Sequence, residues 1–197
     1  MFPAKQSPHR TRPRRLPVSS NPTPGLARFN AASDRAARAA LHEACASEAW
    51  GNHLLAHRPY ATTEALYAAS DAAMAELTAA DLAEAMAGHP PIGRPTPGDA
   101  TSSREQRGMS DADADLKAEM LELNLAYQEK FGHVFLICAT GLTGEQLRDA
   151  ARNRVDNTPE QEREIVRTEL GKINRIRLGR LVEDAADPAD AAEGATP

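Results

Sequence analysis

The chain has 197 residues, of which 41% are hydrophobic but only 4% aromatic, and it carries a formal net charge of −5. This length fits one domain with extensions at its ends, and the alanine-rich apolar set favours helices over sheets. The acidic balance argues against a general attraction to nucleic acid or to anionic membranes, so neither is expected as a partner.

The location and redox state of the chain can be predicted from what the sequence lacks. No apolar run approaches the ~20 residues of a membrane span. The arginines near the N-terminus are not followed by the apolar segment of a secretory signal, so a cytoplasmic location is expected. Cys45 and Cys138 are the two cysteines and have apolar neighbours. They are interpreted as reduced, packed thiols, with a single disulfide as the alternative.

The two ends differ in composition from the rest. Residues 1–25 contain repeated prolines with arginines between them, and 184–197 are rich in Ala, Asp, Gly and Pro. Such segments bury too little apolar surface to offset the entropy of ordering, so both are predicted to be disordered. A basic contact for RNA or an acidic partner is the alternative for the first. Residues 26–183 remain as the predicted domain.

The first half of this domain is predicted to form four helices, because apolar residues recur there at helical spacing behind Ser and Thr residues that can cap a helix. Thr78 with Asp81 also resembles a capping box, and Pro59 is placed to end the second helix. The four predicted helices cover 34–46, 47–58, 62–77 and 78–88.

A stiff loop rich in Pro and Gly follows over 91–99, with neither a helical nor a strand pattern. Ser110 with Asp113 is then predicted to open a long helix that Gly132 stops. The apolar stripe of this helix, from Leu116 to Phe131, is predicted to face the core, with a dimer face as the alternative.

The apolar run over 134–139 interrupts the helical rhythm. It has no comparable strand to pair with, so it is predicted to be an extended buried segment between helices. Thr143 is predicted to cap the next helix, and Thr158 the last one, which continues through Leu181. The predicted fold is all-α, a single-domain bundle of about eight helices with one short extended segment.

Two short clusters carry most of the chemical information. His89-Pro90 ends an Ala-rich helix, and Ser102 lies close to Glu105-Gln106, beyond the stiff loop. An imidazole and a carboxylate brought together can serve as a proton-transfer pair. Taken alone, His89 would be explained by a contact with a helix C-terminus, and Glu105 by an exposed helix position.

Other candidate sites are weaker. His53 and His57 lie four residues apart on one helix and could bind a metal, but no third ligand is evident, so a surface pair is preferred and no metal is expected. Cys138 could be a nucleophile, but it lacks an adjacent base, and a packed small residue is the better interpretation.

Several short stretches, in order along the chain, resemble the OHCU decarboxylase family, where OHCU is 2-oxo-4-hydroxy-4-carboxy-5-ureidoimidazoline. The resemblance runs from residue 29 to about residue 181. Pro91 departs from the charged residue that the family often has there, and the proline-rich 94–98 loop is a second departure. The matching stretches are Phe29-Asn30-Ala31, Arg58-Pro59-Tyr60, His89-Pro90-Pro91-Ile92-Gly93, Ser102 with Glu105-Gln106, Leu123-Asn124-Tyr127-Lys130-Phe131-Gly132, and Phe135-Leu136-Ile137-Cys138-Ala139.

The resemblance implies conversion of OHCU to (S)-allantoin in urate catabolism. No cofactor is expected, because the ring can delocalise the electron pair left by CO2. His89 would transfer a proton near its unperturbed pKa of ~6.5, and Glu105 would orient the substrate or partner His89. A homodimer is also expected. The expected substrate-binding residues are Pro90, Ser102, Gln106, Phe135, Leu136, Ile137, Cys138, Ala139 and Arg177.

Two other hypotheses remain at this stage. A helical interaction module could keep the fold without activity, although it would have no physical need for His89, Glu105 and Gln106 together. Alternatively, the decarboxylase could gain a binding function from its Arg/Pro arm.

Overall fold

A computed structural model describes residues 22–183, and these residues form ten α-helices and no strand. The predicted all-α class is confirmed, with ten helices in this region instead of about eight. The helices are α1 (Pro24–Ala31), α2 (Asp34–Ala44), α3 (Glu48–Ala56), α4 (Thr63–Glu76), α5 (Ala79–Ala87), α6 (Ala100–Glu105), α7 (Arg107–Ser110), α8 (Ala114–Phe131), α9 (Gly144–Arg154) and α10 (Pro159–Val182).

Side-chain caps fix where most helices begin. Thr78, Thr143 and Thr158, each predicted as a cap, form reciprocal capping boxes at the starts of α5, α9 and α10. The predicted start of the long helix at Ser110 is wrong, since Ser110 ends the short α7. The cap of α8 is Asp113, whose carboxylate accepts from the Leu116 amide at 2.8 Å.

The packed region begins before residue 26. Thr23 caps α1, and a Cβ added at Gly25 would lie 2.3 Å from the carbonyl oxygen of Val182, so the chain ends of α1 and α10 are in close contact. The rest of the predicted arm and the predicted tail, 1–21 and 184–197, lie outside the described residues.

The core consists of two apolar clusters. The larger one is formed mainly by α1 to α5 and α10, and the smaller one by α7, α8, α9 and the loop residue Ile92. Fully buried members of the first include Leu41, Trp50, Leu54, Leu66, Leu170 and Leu178; those of the second include Met120, Tyr127 and Leu147.

The extended 134–139 segment runs between these two clusters. The Phe135 side chain packs in the smaller cluster, while the next residue, Leu136, packs in the larger one. Consecutive side chains of an extended chain point in opposite directions, so neighbouring residues can pack in different clusters. The segment therefore contributes side chains to both clusters. No helix within 22–183 is long and apolar enough to cross a membrane.

Candidate active site

One pocket brings together residues from distant parts of the sequence. Its walls come from the loop after α5, from α6 and the residue that follows it, from the extended segment and from α10. Ten of the eleven predicted site residues line it, and Cys138 does not. The lining also includes Ile92, Thr140, Ile173 and Ile176, which were not predicted. The ten predicted residues are His89, Pro90, Ser102, Glu105, Gln106, Phe135, Leu136, Ile137, Ala139 and Arg177.

His89 lies two residues beyond the end of α5, and its amide donates to the Met86 carbonyl at 2.9 Å. Burial lowers the pKa of its imidazole to about 4; the nearby Arg177 charge acts in the same direction, and Glu105 only partly opposes them. The ordinary pKa near 6.5 assumed from sequence is therefore wrong for this site. At neutral pH the ring is uncharged and has one donor and one acceptor nitrogen.

Glu105, the last residue of α6, is held by two arginines of α10. Its Oε1 accepts from Arg177 Nε at 3.0 Å, and its Oε2 from Arg177 Nη2 at 2.8 Å. Oε1 also accepts from Arg180 Nη1 at 3.2 Å. Two parallel charge-assisted hydrogen bonds fix both the position and the plane of the carboxylate. Two guanidinium groups against one carboxylate leave a net positive charge beside the pocket.

Arg177 is itself fixed by a third contact. Its Nη1 donates to the carbonyl of Ala44, the last residue of α2, at 3.1 Å. This carbonyl is one of those that a helix C-terminus leaves without a partner inside the helix. Arg177 therefore joins α2, α6 and α10 at the pocket wall.

Gln106 holds the loop that carries His89. Its Oε1 accepts from the Gly93 amide at 2.8 Å, and its Nε2 lies 3.5 Å from the Pro90 carbonyl. Asn124 on α8 donates to the Ile92 carbonyl at 2.8 Å and supports the same loop. The predicted substrate contact of Gln106 therefore competes with an existing hydrogen bond to the loop backbone.

Part of the backbone of the extended segment is already paired. The Leu136 carbonyl accepts from Arg154 Nη1 at 2.9 Å, and the Cys138 amide donates to Glu169 Oε2 at 3.0 Å. These two backbone groups are therefore not free to bind a substrate. Burial raises the pKa of the Cys138 thiol, which disfavours the nucleophilic thiolate. Both cysteines are free, as predicted.

Comparison with known proteins decides the family. The family model described as OHCU decarboxylase matches residues 30–179. This chain belongs to the OHCU decarboxylase family. Among solved structures, one described as OHCU decarboxylase in the presence of (S)-allantoin is 30% identical, with a TM-score of 0.64. The match covers 78% of this chain and 100% of the chain in that structure. A structure described as (S)-allantoin synthase has a TM-score of 0.61 at 19% identity, covering 80% of this chain and 54% of its own, and supports the fold alone.

Two curated relatives agree with this family. The uric acid degradation bifunctional protein TTL of Arabidopsis thaliana is 31% identical over 149 residues, covering 72% of this chain and 46% of the relative. The 2-oxo-4-hydroxy-4-carboxy-5-ureidoimidazoline decarboxylase of Amia calva is 36% identical over 78 residues, covering 40% of this chain and 45% of the relative. The matched region spans less than half the length of each.

Some of the matching family stretches hold the fold together outside the pocket. Asn30 and Tyr60 exchange two hydrogen bonds, from Asn30 Nδ2 to the Tyr60 carbonyl at 2.8 Å and from the Tyr60 amide to Asn30 Oδ1 at 2.9 Å. Arg58 donates to the carbonyls of Phe29 and Ala32 at the end of α1. Two of the short stretches that suggested this decarboxylase family therefore contact each other.

Sequence reasoning missed several polar residues around the site of this family member. Arg180 follows Arg177 by three residues on α10, a spacing that places both on one helix face and could have indicated a pair. No local signal indicated Arg154 or Glu169, whose partners lie 18 and 31 residues away.

The remaining histidine pair lies away from the pocket. The His53 and His57 rings are stacked with centroids 4.4 Å apart, and His57 Nδ1 lies 2.7 Å from the His53 carbonyl. Within residues 22–183, no three His, Cys, Asp or Glu side chains form a group that could hold a metal ion.

Proposed function

We propose that this chain decarboxylates OHCU to (S)-allantoin without a cofactor, in the pocket between His89 and the Glu105–Arg177 pair. The observation that carries the proposal is that a chain of the OHCU decarboxylase family places these three side chains on one pocket. The 30% identical relative whose structure was solved in the presence of (S)-allantoin supports the same substrate class.

The reaction needs a side chain that transfers protons, because the substrate ring itself can delocalise the electron pair left by CO2. The bond to the carboxylate carbon breaks, CO2 leaves, and the electron pair stays on the ring, which takes up one proton from solvent. The hydroxyl oxygen loses its proton and becomes the ring carbonyl, while a proton is added to the carbon that bears the ureido group. His89 is uncharged at neutral pH and can accept the hydroxyl proton directly.

Glu105, Arg177 and Arg180 together determine the charge beside the pocket. The substrate is a carboxylate and the organic product is neutral, so the net positive charge of Arg177, Arg180 and Glu105 favours substrate over product. We propose that Arg177 faces the leaving carboxylate, while Glu105 keeps that guanidinium fixed and orients the substrate. The remaining contacts proposed for the ring and ureido groups are Pro90, Ser102, Gln106 and the segment from Phe135 to Ala139.

The proposal is tested by generating OHCU enzymatically from urate and following its decay by circular dichroism. The purified chain is expected to produce optically active allantoin faster than the uncatalysed reaction, without added metal or organic cofactor. Racemic allantoin at the uncatalysed rate would support the inactive-module alternative instead, and a rate that EDTA abolishes would show a metal requirement.

The assembly and location stay separate proposals. A homodimer is proposed, with light scattering of the purified full chain as the test. A cytoplasmic location is also proposed, and fractionation of the native cells tests it.

A further inference from the structure

A buried arginine outside the pocket holds the segment that forms one of its walls. Arg154, the last residue of α9, donates from Nη1 to the Leu136 carbonyl at 2.9 Å. Its guanidinium also lies over the Phe135 ring, 4.7 Å from the centroid. Phe135 and Leu136 both line the pocket, whereas Arg154 does not. Arg154 therefore contacts the pocket wall through these two residues.

The arginine is locked in place by a fully buried carboxylate. Glu162 is 0% exposed and accepts hydrogen bonds from Arg154 Nε at 2.9 Å and from Arg154 Nη2. It also accepts from the Tyr127 hydroxyl and, at 2.7 Å, from Asn157 Nδ2. Burial acts to raise the pKa of Glu162, but these hydrogen bonds and the Arg154 charge hold it below its ordinary value. Glu162 is therefore ionised at neutral pH.

Stability alone is a weak reason for such a pair. Replacing a buried ion pair by apolar side chains of similar volume is often neutral or stabilising, because the charges must be desolvated. An extended segment without a partner strand, however, needs a donor for its buried carbonyls. A guanidinium supplies such a donor in a fixed plane while its other N–H groups remain on Glu162.

We propose that Arg154, locked by Glu162, is a positioning residue that fixes the pocket wall at Phe135 and Leu136 and thereby selects the ring face to which the proton is added. The role in stereochemistry depends on the proposed decarboxylation. The role in ordering the wall does not, and it can be measured without substrate.

Three variants of the full chain test the proposal. Arg154→Lys keeps the charge beside Glu162 but loses the planar set of donors that reaches Leu136. The double variant Arg154→Met/Glu162→Met removes the pair without leaving a buried unpaired charge. Arg152→Lys is the matched control, because Arg152 lies on the same helix and pairs with Glu119 on the surface, with 56% of its side chain exposed.

The first measurement is hydrogen exchange of the 135–139 amides. We expect Arg154→Lys and the double variant to speed this exchange by about tenfold or more while keeping helical circular dichroism, and we expect the control to match wild type. Unchanged exchange in the two folded variants overturns the proposal. Failure of both variants to fold also overturns it, since the pair would then be a requirement of the fold itself.

The second measurement is the stereochemistry of the product. Both test variants are expected to lower kcat/KM for OHCU by about 10- to 100-fold and to reduce the excess of (S)-allantoin. A purely structural role would lower the melting temperature but leave the stereochemistry of folded protein unchanged. If wild type itself does not convert OHCU, the proposed function fails, and the exchange measurement alone decides whether Arg154 positions the wall.

Discussion

Glu105 is paired with Arg177 across 72 residues of sequence, through two hydrogen bonds of 3.0 and 2.8 Å. The side chains of both are largely buried, at 11% and 15% exposed. The immediate partner of the Glu105 carboxylate is therefore Arg177 and not His89, although Glu105 and His89 line the same pocket. His89 is thus left as an uncharged imidazole in the pocket, which we propose as the base, and Glu105 as the group that holds the arginine.

The variant Glu105→Gln tests this division of roles. The amide keeps the shape of the side chain but removes the charge that Arg177 and Arg180 share, so we expect kcat/KM to fall by about 10²–10³. Because the lost contact is with Arg177, which we propose to face the substrate carboxylate, KM should rise. Steady-state kinetics of OHCU decay provide the measurement.

Glu119→Gln is the matched control for Glu105→Gln. Glu119 also contacts two arginines, Arg148 and Arg152, but on the surface, so its loss should leave the kinetics at wild-type values. A Glu105→Gln protein that is folded and fully active would contradict the proposed role of the carboxylate.

The variant His89→Asn tests proton transfer. Asparagine can still form a hydrogen bond but cannot carry the proton, so the rate should fall by about 10²–10⁴ with helical circular dichroism retained. His57→Asn is the control, since His57 is exposed and does not line the pocket.

The double variant His89→Asn/Glu105→Gln tests whether the two residues act as a unit. If they do, its rate should be little lower than that of the slower single variant. Wild-type turnover in folded His89→Asn protein would refute the mechanism.

The activity should depend on pH as the lowered pKa of His89 dictates. Burial lowers this pKa to about 4, so the uncharged, active form persists well below pH 6.5. We expect kcat/KM to stay level from pH 8 to about 5 and to fall as the pH approaches 4. A pH–rate profile checks this; a half-maximal rate near pH 6.5 would show that His89 is not desolvated in this way.

The free energy of unfolding should also depend on pH because of the lowered pKa of His89. Between pH 6.5 and 4 an unfolded chain binds a proton at His89 that the folded chain does not, so stability falls as the pH falls through this window. His89→Asn should remove this contribution, which is roughly 3 kcal/mol at full extent. Urea unfolding at pH 7.5 and pH 4.5 measures it. An equal loss of stability in both proteins would argue against a lowered pKa of His89.

The features predicted from the sequence are those with local causes. Thr78, Thr143 and Thr158 were identified as caps because a cap and its helix lie within a few residues. The short α6 and α7 carry no apolar period long enough to indicate a helix, and α1 begins within a proline-rich stretch. The Glu105–Arg177 pair and the low pKa of His89 depend on contacts and burial that only the folded chain creates.

At the candidate site, too, the long-range contacts could not be predicted from local sequence. Taken alone, His89 would have been interpreted as a contact at a helix C-terminus and Glu105 as an exposed helix residue. Only the ordered resemblance to a family linked them. The structure places both on one pocket. It also shows that Gln106 braces the Gly93 loop, a long-range contact that residue type alone could not indicate.

The N-terminal boundary of the domain gives a prediction about stability. Deleting residues 1–25 should lower the melting temperature, because it removes the Thr23 cap of α1, the hydrogen bond from Thr23 Oγ1 to the Val182 carbonyl at 3.2 Å, and the close packing of Gly25 on α10. The lost cap and contact are worth roughly 1–2 kcal/mol, which corresponds to about 2–8 °C.

Deleting only residues 1–21 is the comparison that locates the effect. This shorter deletion keeps Thr23, Gly25 and the fully buried Leu26, and the sequence it removes has no apolar periodicity, so the melting temperature should stay near that of the full chain. Differential scanning calorimetry of the two truncations beside the full chain gives the measurement. Equal melting temperatures for all three would show that the contact between α1 and Val182 contributes little. An equally large drop in both truncations would instead show that residues 1–21 pack against the domain.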